Sequence, residues 1–280
     1  MAKTIAISGK GGSGKTTIAA MIVRLLWHGL PAREDTARMA VPHRSRGAIL
    51  AVDADPNSCL GLMLGVQPVG TIADIREDAR AKAPANTGTD RLRSLEYDIQ
   101  KAITEADGFD LLVMGRPEGP GCYCAVNNIL RQFLDKLSSQ YEYVIIDNEA
   151  GMEHLSRRTT NNVDILCIVT EPTSLGAETA KRIFELAKRL PVSIKEIGVI
   201  WNESRDQSLV TRDSKQRRPE IRNEMGELKP FGYIPFDESV FNASMQGKTV
   251  FELKDNTPAF LAVQKILGQK LKLNHSLMSL

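Results

Sequence analysis

Residues Gly9 to Thr17 read Gly-Lys-Gly-Gly-Ser-Gly-Lys-Thr-Thr, and their spacing suits one task, the holding of a phosphate chain. Gly9, Gly14, Lys15 and Thr16 satisfy the G-x-x-x-x-G-K-[ST] pattern. The glycines let the loop curl so that backbone N–H groups converge on phosphate oxygens. Gly11, Gly12, Ser13 and Gly14 supply that cradle, and the helix expected to follow adds its partial positive charge. Lys15 is expected to reach the β- and γ-phosphates and Thr16 to ligate Mg²⁺, with Thr17 beside them. The run follows an apolar strand, Lys3–Ser8, and precedes a helical stretch, Ile18–Trp27, which is the setting the motif requires.

Acidic residues stand where such a site needs them. Val-Ile-Ile-Asp147 is a hydrophobic strand ending in a carboxylate, an arrangement that holds Mg²⁺ through its water shell. Gly151, four residues on, is placed to offer its N–H to a γ-phosphate, which makes Asn148–His154 a candidate switch. Leu-Ala-Val-Asp53-Ala-Asp55-Pro ends a second strand with two carboxylates on one side; strand-end turn acids are the plainer reading of such a pair. Asn202 closes a late strand, a position that a turn-forming Asn also suits.

Cys122 and Cys124 stand one residue apart on a Gly-Pro-Gly loop before a helix, whose N-terminus favours the metal-binding thiolate. One chain offers two sulfurs, too few for a closed site. Two chains across a two-fold axis offer four, enough for tetrahedral Zn²⁺ or square-planar Ni²⁺. Two buried free thiols without function are the alternative. His154 is a third ligand, a sensor, or a hydrogen-bonded structural histidine. The basic run 205–222 is interrupted by acids and has no interleaved aromatics, so it reads as a solvated loop rather than a nucleic-acid face.

The elements that must position these groups alternate. Apolar strands are expected at Ala48–Asp53, Phe109–Met114, Tyr141–Asp147, Asp164–Thr170, Glu196–Asn202 and near Tyr233. Helices are expected at 94–106, 126–139 and Ser174–Leu190, and after a Thr257 cap and Pro258 start. Residues 30–47 read as an inserted loop, 65–89 as irregular and 203–222 as a polar loop. Near-continuous apolar strands alternating with helices indicate an α/β fold, a mostly parallel sheet with helices on both faces, in one domain spanning 1–280. Ligands then bind at the carboxyl ends of the strands, where all these groups lie.

Composition narrows the class. The chain has 280 residues, 42% hydrophobic and 25% charged, with a net charge of +2, ordinary values for a globular protein and too neutral to point to nucleic acid or membrane. No apolar run approaches the length of a membrane span. The first strand begins at once, leaving no room for a signal peptide, and the expected location is cytoplasmic. In a reducing compartment a Cys-x-Cys pair is metal-binding or redox-active rather than structural, while Cys167, in an apolar strand, is a small buried hydrophobe.

Lys10 adds a family resemblance. Lys-Gly-Gly-x-Gly-Lys-Thr resembles the deviant Walker A loop of the nitrogenase-iron-protein, partition and arsenical-pump ATPases. The resemblance implies ATP and ADP as ligands with Mg²⁺, and a Lys10 that crosses a homodimer interface to the partner's nucleotide. It further implies that Asp55 orients the attacking water, that Asp53 supports the Mg²⁺ shell, and that Asn202 reads adenine. Met114-Gly-Arg-Pro-Glu-Gly-Pro-Gly-Cys-Tyr-Cys-Ala-Val-Asn127, followed by Asp147-Asn-Glu-Ala-Gly-Met-Glu-His-Leu-Ser-Arg157, more narrowly resembles the CooC-type accessory ATPases of nickel carbon monoxide dehydrogenase maturation. That implies paired Cys-x-Cys motifs binding Ni²⁺ or Zn²⁺ and a carbon monoxide dehydrogenase client, or acetyl-CoA synthase in a sister group. A positioning ATPase of the MinD/ParA kind is the alternative. The 30–47 insertion departs from the family pattern, in which a short turn joins the first helix to the second strand.

Overall fold

The computed structural model describes residues 2–29, 48–81, 89–116, 135–150, 162–204 and 227–271. Among these, eight strands form one sheet: β1 (Lys3–Gly9), β2 (Ile49–Ala54), β3 (Thr104–Glu105), β4 (Phe109–Val113), β5 (Tyr143–Ala150), β6 (Asn162–Thr170), β7 (Ser193–Ser204) and β8 (Lys229–Pro235). Their order is β3-β4-β2-β5-β1-β6-β7-β8. Every pairing is parallel except that of β3 with β4. The helices are α1 (Lys15–Gly29), α2 (Leu60–Met63), α3 (Ile72–Ala81), α4 (Thr89–Ala102), α5 (Ser174–Arg189), α6 (Glu238–Met245) and α7 (Pro258–Leu271), with a 3₁₀ turn at Val250–Glu252.

Side chains alternate across the strands into two cores. Ile5 and Ile7 join Ile145, α1 and α7 on one face, while Ala6, Val144 and Ile146 join Ile99 and the Ala177, Ala180 and Ile183 stripe of α5 on the other. Burial on both faces explains why these strands read as unbroken apolar runs. Arg24 braces α1 against the C-terminal segment. Its guanidinium donates to the Val250 carbonyl at 2.7 Å, pairs with Asp255 at 2.6 Å and lies over the Phe260 ring.

Several expected boundaries move. Residues 65–89 are not irregular throughout, because α3 occupies Ile72–Ala81. Thr71 and Asp74 cap it reciprocally: the Thr71 N–H and hydroxyl donate to the Asp74 carboxylate, and the Asp74 N–H donates to the Thr71 hydroxyl. Such a cap contributes about 1 kcal/mol. The expected 94–106 helix stops at Ala102, and Thr104–Glu105 turns back to pair antiparallel with β4. α1 begins at Lys15, three residues before the expected start. β5 and β7 run past Asp147 and Asn202, where sequence reading ended them. Of the expected 126–139 helix, residues 135–138 are described and helical. The 30–47 insertion and residues 205–222 lie outside the described residues.

Candidate nucleotide and cation site

The loop between β1 and α1 leaves the sheet where β1 lies between β5 and β6. Two of its glycines are required. A Cβ at Gly9 would stand 2.1 Å from the Val169 carbonyl oxygen of β6, and Gly14 adopts φ +87° with a would-be Cβ 2.3 Å from Asn202 Nδ2. Lys15 is buried, and its ammonium donates to the Lys10 carbonyl at 3.1 Å, which also accepts the Ser13 N–H at 3.3 Å. A phosphate oxygen presents the same acceptor chemistry to that ammonium. Gly11, Gly12 and the Lys10 side chain are exposed.

Strand register brings the acids together. Asp147 of β5 sits opposite Ile7 of β1 and opposite Asp53 of β2. Both carboxylates are fully buried. Asp53 is satisfied by backbone: one oxygen accepts the Asp55 N–H at 3.2 Å, the other the Leu60 N–H at 2.8 Å. Neither oxygen of Asp147 has a hydrogen-bond partner among the described residues. Burial pushes the Asp147 carboxyl up to about 7, the negative charges of Asp53 and Asp55 add to the rise, and the nearby Thr16 hydroxyl and Lys15 ammonium oppose it. Burial likewise pushes Asp53 up to about 6 against its two N–H donors. Asp55 is half-buried beyond the strand end, and one of its oxygens accepts the Asn57 N–H and side-chain amide, both at 2.9 Å.

A buried carboxylate without a donor, beside a second acid and a threonine hydroxyl, fits a hard divalent cation with oxygen ligands. The fit has a pH signature. With a folded-state value near 7 against an ordinary 3.8, Asp147 keeps in the folded chain a proton that the unfolded chain has lost. The metal-free protein therefore loses stability as pH rises from about 4 through about 7, and Mg²⁺ must compete with that proton. Added Mg²⁺ is expected to raise the melting temperature more at about pH 8 than at about pH 5.5, with the increment lost in Asp147→Asn. An equal increment at both pH values, or one surviving in the variant, would remove Asp147 from the cation site.

Beyond the loop, Gly14, Ile18, Asn202, Pro235, Phe236 and Phe241 line a cleft open to solvent. The Phe236 and Phe241 rings lie 6.2 Å apart. Asp237 fixes this wall: one of its oxygens accepts the Ser239 N–H at the start of α6, and the other the Ala259 N–H at the start of α7. A cleft with two aromatic rings and an amide in its wall, set against the phosphate loop, has the lining that a nucleobase uses. Asn202 is legible in the sequence here, whereas 235–237 and Phe241 are not, because the pairing of β8 with β7 is what brings them to the loop.

Lys10, Gly11, Gly12, Ser13, Gly14, Lys15, Thr16, Thr17, Asp53, Asp55, Asp147 and Asn202 thus gather along the carboxyl edge of the sheet. Cys122, Cys124, Gly151 and His154 lie outside the described residues, and Asn148, the expected start of a switch, is a buried strand residue donating to the Ile7 carbonyl at 2.9 Å. Among the described residues no group of three or more His, Cys, Asp or Glu is arranged to hold a metal ion. Cys167 is buried, its thiol pushed up to about 12. Among the described residues no helix is long and apolar enough to cross a membrane.

No protein-family model matches the chain. An uncharacterised ATP-binding protein of Methanocaldococcus jannaschii is 39% identical over 268 residues, covering 94% of this chain and 96% of that protein. The carbon monoxide dehydrogenase accessory protein CooC of Rhodospirillum rubrum is 30% identical over 275 residues, covering 92% and 94%. The MinD cell division protein of Aquifex aeolicus has the same fold, with a TM-score of 0.65 at 20% identity over 98% of each chain.

Proposed function

The chain belongs to a family of ATP-binding proteins that includes CooC and has the fold of the MinD ATPase, and we propose that it hydrolyses ATP with Mg²⁺ and couples the nucleotide state to homodimer closure and nickel handling during carbon monoxide dehydrogenase maturation. The observation that carries the nucleotide chemistry is the buried, donorless Asp147 beside the phosphate loop. The choice of client is supported by similarity to CooC across nearly the whole of both chains, and the metal step by the thiols of Cys122 and Cys124.

In this reading the backbone of Gly11–Gly14, with Thr17, holds the triphosphate, and Lys15 exchanges the Lys10 carbonyl for β- and γ-phosphate oxygens. Thr16 and Asp147, supported by Asp53, hold Mg²⁺. When bound, the ion neutralises charge on the phosphates. Asp55 orients a water whose oxygen bonds to the γ-phosphorus as the bond to the β,γ-bridging oxygen breaks. Lys10 of each protomer approaches the other's nucleotide, and Gly151 meets the γ-phosphate. Asn202 and its cleft take adenine. Nickel is cargo on the four thiolates of the paired Cys122 and Cys124, which persist in the reducing cytoplasm.

Phosphate release from purified protein tests the catalytic part. It is expected to require Mg²⁺, to stop on chelation, to fall to background in Asp147→Asn, and to rise when the client is added. Release indifferent to chelation and to that substitution would contradict the reading. Capture of acetyl-CoA synthase in place of carbon monoxide dehydrogenase would change the client and leave the chemistry intact.

A further inference from the structure

Asn202 does more in this fold than line a cleft. It is 8% exposed and its Nδ2 donates at 2.9 Å to the carbonyl of Ser13, itself 5% exposed, inside the phosphate loop. A carbonyl only accepts, so the amide has one orientation: Nδ2 faces the loop, and Oδ1 is left as an acceptor on a residue of the cleft wall. The contact is so close that Gly14 has no room for a Cβ, which would fall 2.3 Å from Nδ2.

The backbone is bent to deliver this amide. Between Trp201 and Ser204 β7 advances three residues while β8 advances two, from Tyr233 to Pro235, so one residue of β7 is extra. Glu203, immediately after Asn202, takes φ +56°, a left-handed conformation costly for a side chain of its kind. Strain of this sort persists where surrounding contacts fix it, commonly at ligand clamps.

We infer that Asn202, apart from any contact with a base, is a positioning residue for the phosphate loop: its Nδ2 holds the Ser13 carbonyl, and so the loop, in phosphate-binding shape. The inference rests on the reading of the loop as a phosphate site and is independent of the cleft as a base site. It assigns to the amide a role toward ligands that carry no base.

That role separates it from a base reader. Binding of tripolyphosphate and of ATP, each with Mg²⁺, is measured by calorimetry on the full chain and on two neutral variants, Asn202→Ala and the near-isosteric Asn202→Leu, well below their melting temperatures. Leu fills the space, so the test stands even where Ala proves too unstable. Loss of the donor leaves a buried carbonyl unpaired, and tripolyphosphate affinity is expected to fall about tenfold in both variants. ATP affinity should fall further than that, as the base contact goes too. Tripolyphosphate affinity unchanged in either folded variant would overturn the tether. The base cleft is judged separately: wild-type protein binding ATP no more tightly than tripolyphosphate would refute that reading, while the tripolyphosphate comparison would still decide the tether.

Discussion

Replacing Lys10 with alanine is expected to lower ATP turnover by about 10³-fold or more while leaving ATP binding by the single chain nearly unchanged. The structure separates the two roles of this residue. Its backbone carbonyl holds the Lys15 ammonium and the Ser13 N–H, and alanine keeps that carbonyl. Its side chain is exposed, and among the described residues its ammonium has no ion-pair partner. A cation arriving on the γ-phosphate only in the closed dimer resembles an arginine finger supplied in trans, worth about 10³–10⁵ in rate. Sedimentation with ATP should show dimers for the natural protein and monomers for Lys10→Ala. Mixing Lys10→Ala with Asp55→Asn chains should restore turnover above the sum of the two, since a mixed dimer holds one complete site. Unchanged dimerisation and turnover would refute the trans role.

Asp55→Asn is expected to bind ATP normally and to lose turnover by about 10²-fold or more, the range for a group that orients or deprotonates a nucleophile. Asn keeps the acceptor oxygen that takes the Asn57 N–H and amide, so the local turn survives and only the charge is removed. Unlike Asp147 and Asp53, Asp55 lies beyond the strand end, half exposed, where a water can reach it. Phosphate release at the natural rate would move the water-orienting role elsewhere.

The parts of the site legible in sequence are those in which one short run carries the whole device. Nine consecutive residues make the phosphate loop, and an acid after an apolar strand needs only the strand to place it. Strand ends were harder. Asn148 and Asn202 look like terminators, yet each donates its amide to a carbonyl across the sheet edge, so a polar residue stays buried and the strand runs on. α3 is hard to read from its residues although Thr71-x-x-Asp74 is a start signal, because its weakly apolar turns mask it. The cleft wall at 235–237 and Phe241 carried no local signal at all. It exists through the packing of β8, α6 and α7, which no single window contains.

The most direct test of the central claim is equilibrium Ni²⁺ binding to the reduced, full-length protein, with and without a non-hydrolysable ATP analogue, beside the Cys122→Ser/Cys124→Ser variant. The proposed coupling predicts about half a metal ion per chain, as four thiolates shared across a two-fold axis require, absent in the variant and altered in affinity by the analogue. Nickel binding that ignores both the cysteines and the nucleotide would contradict it, leaving a nucleotide switch of the positioning kind.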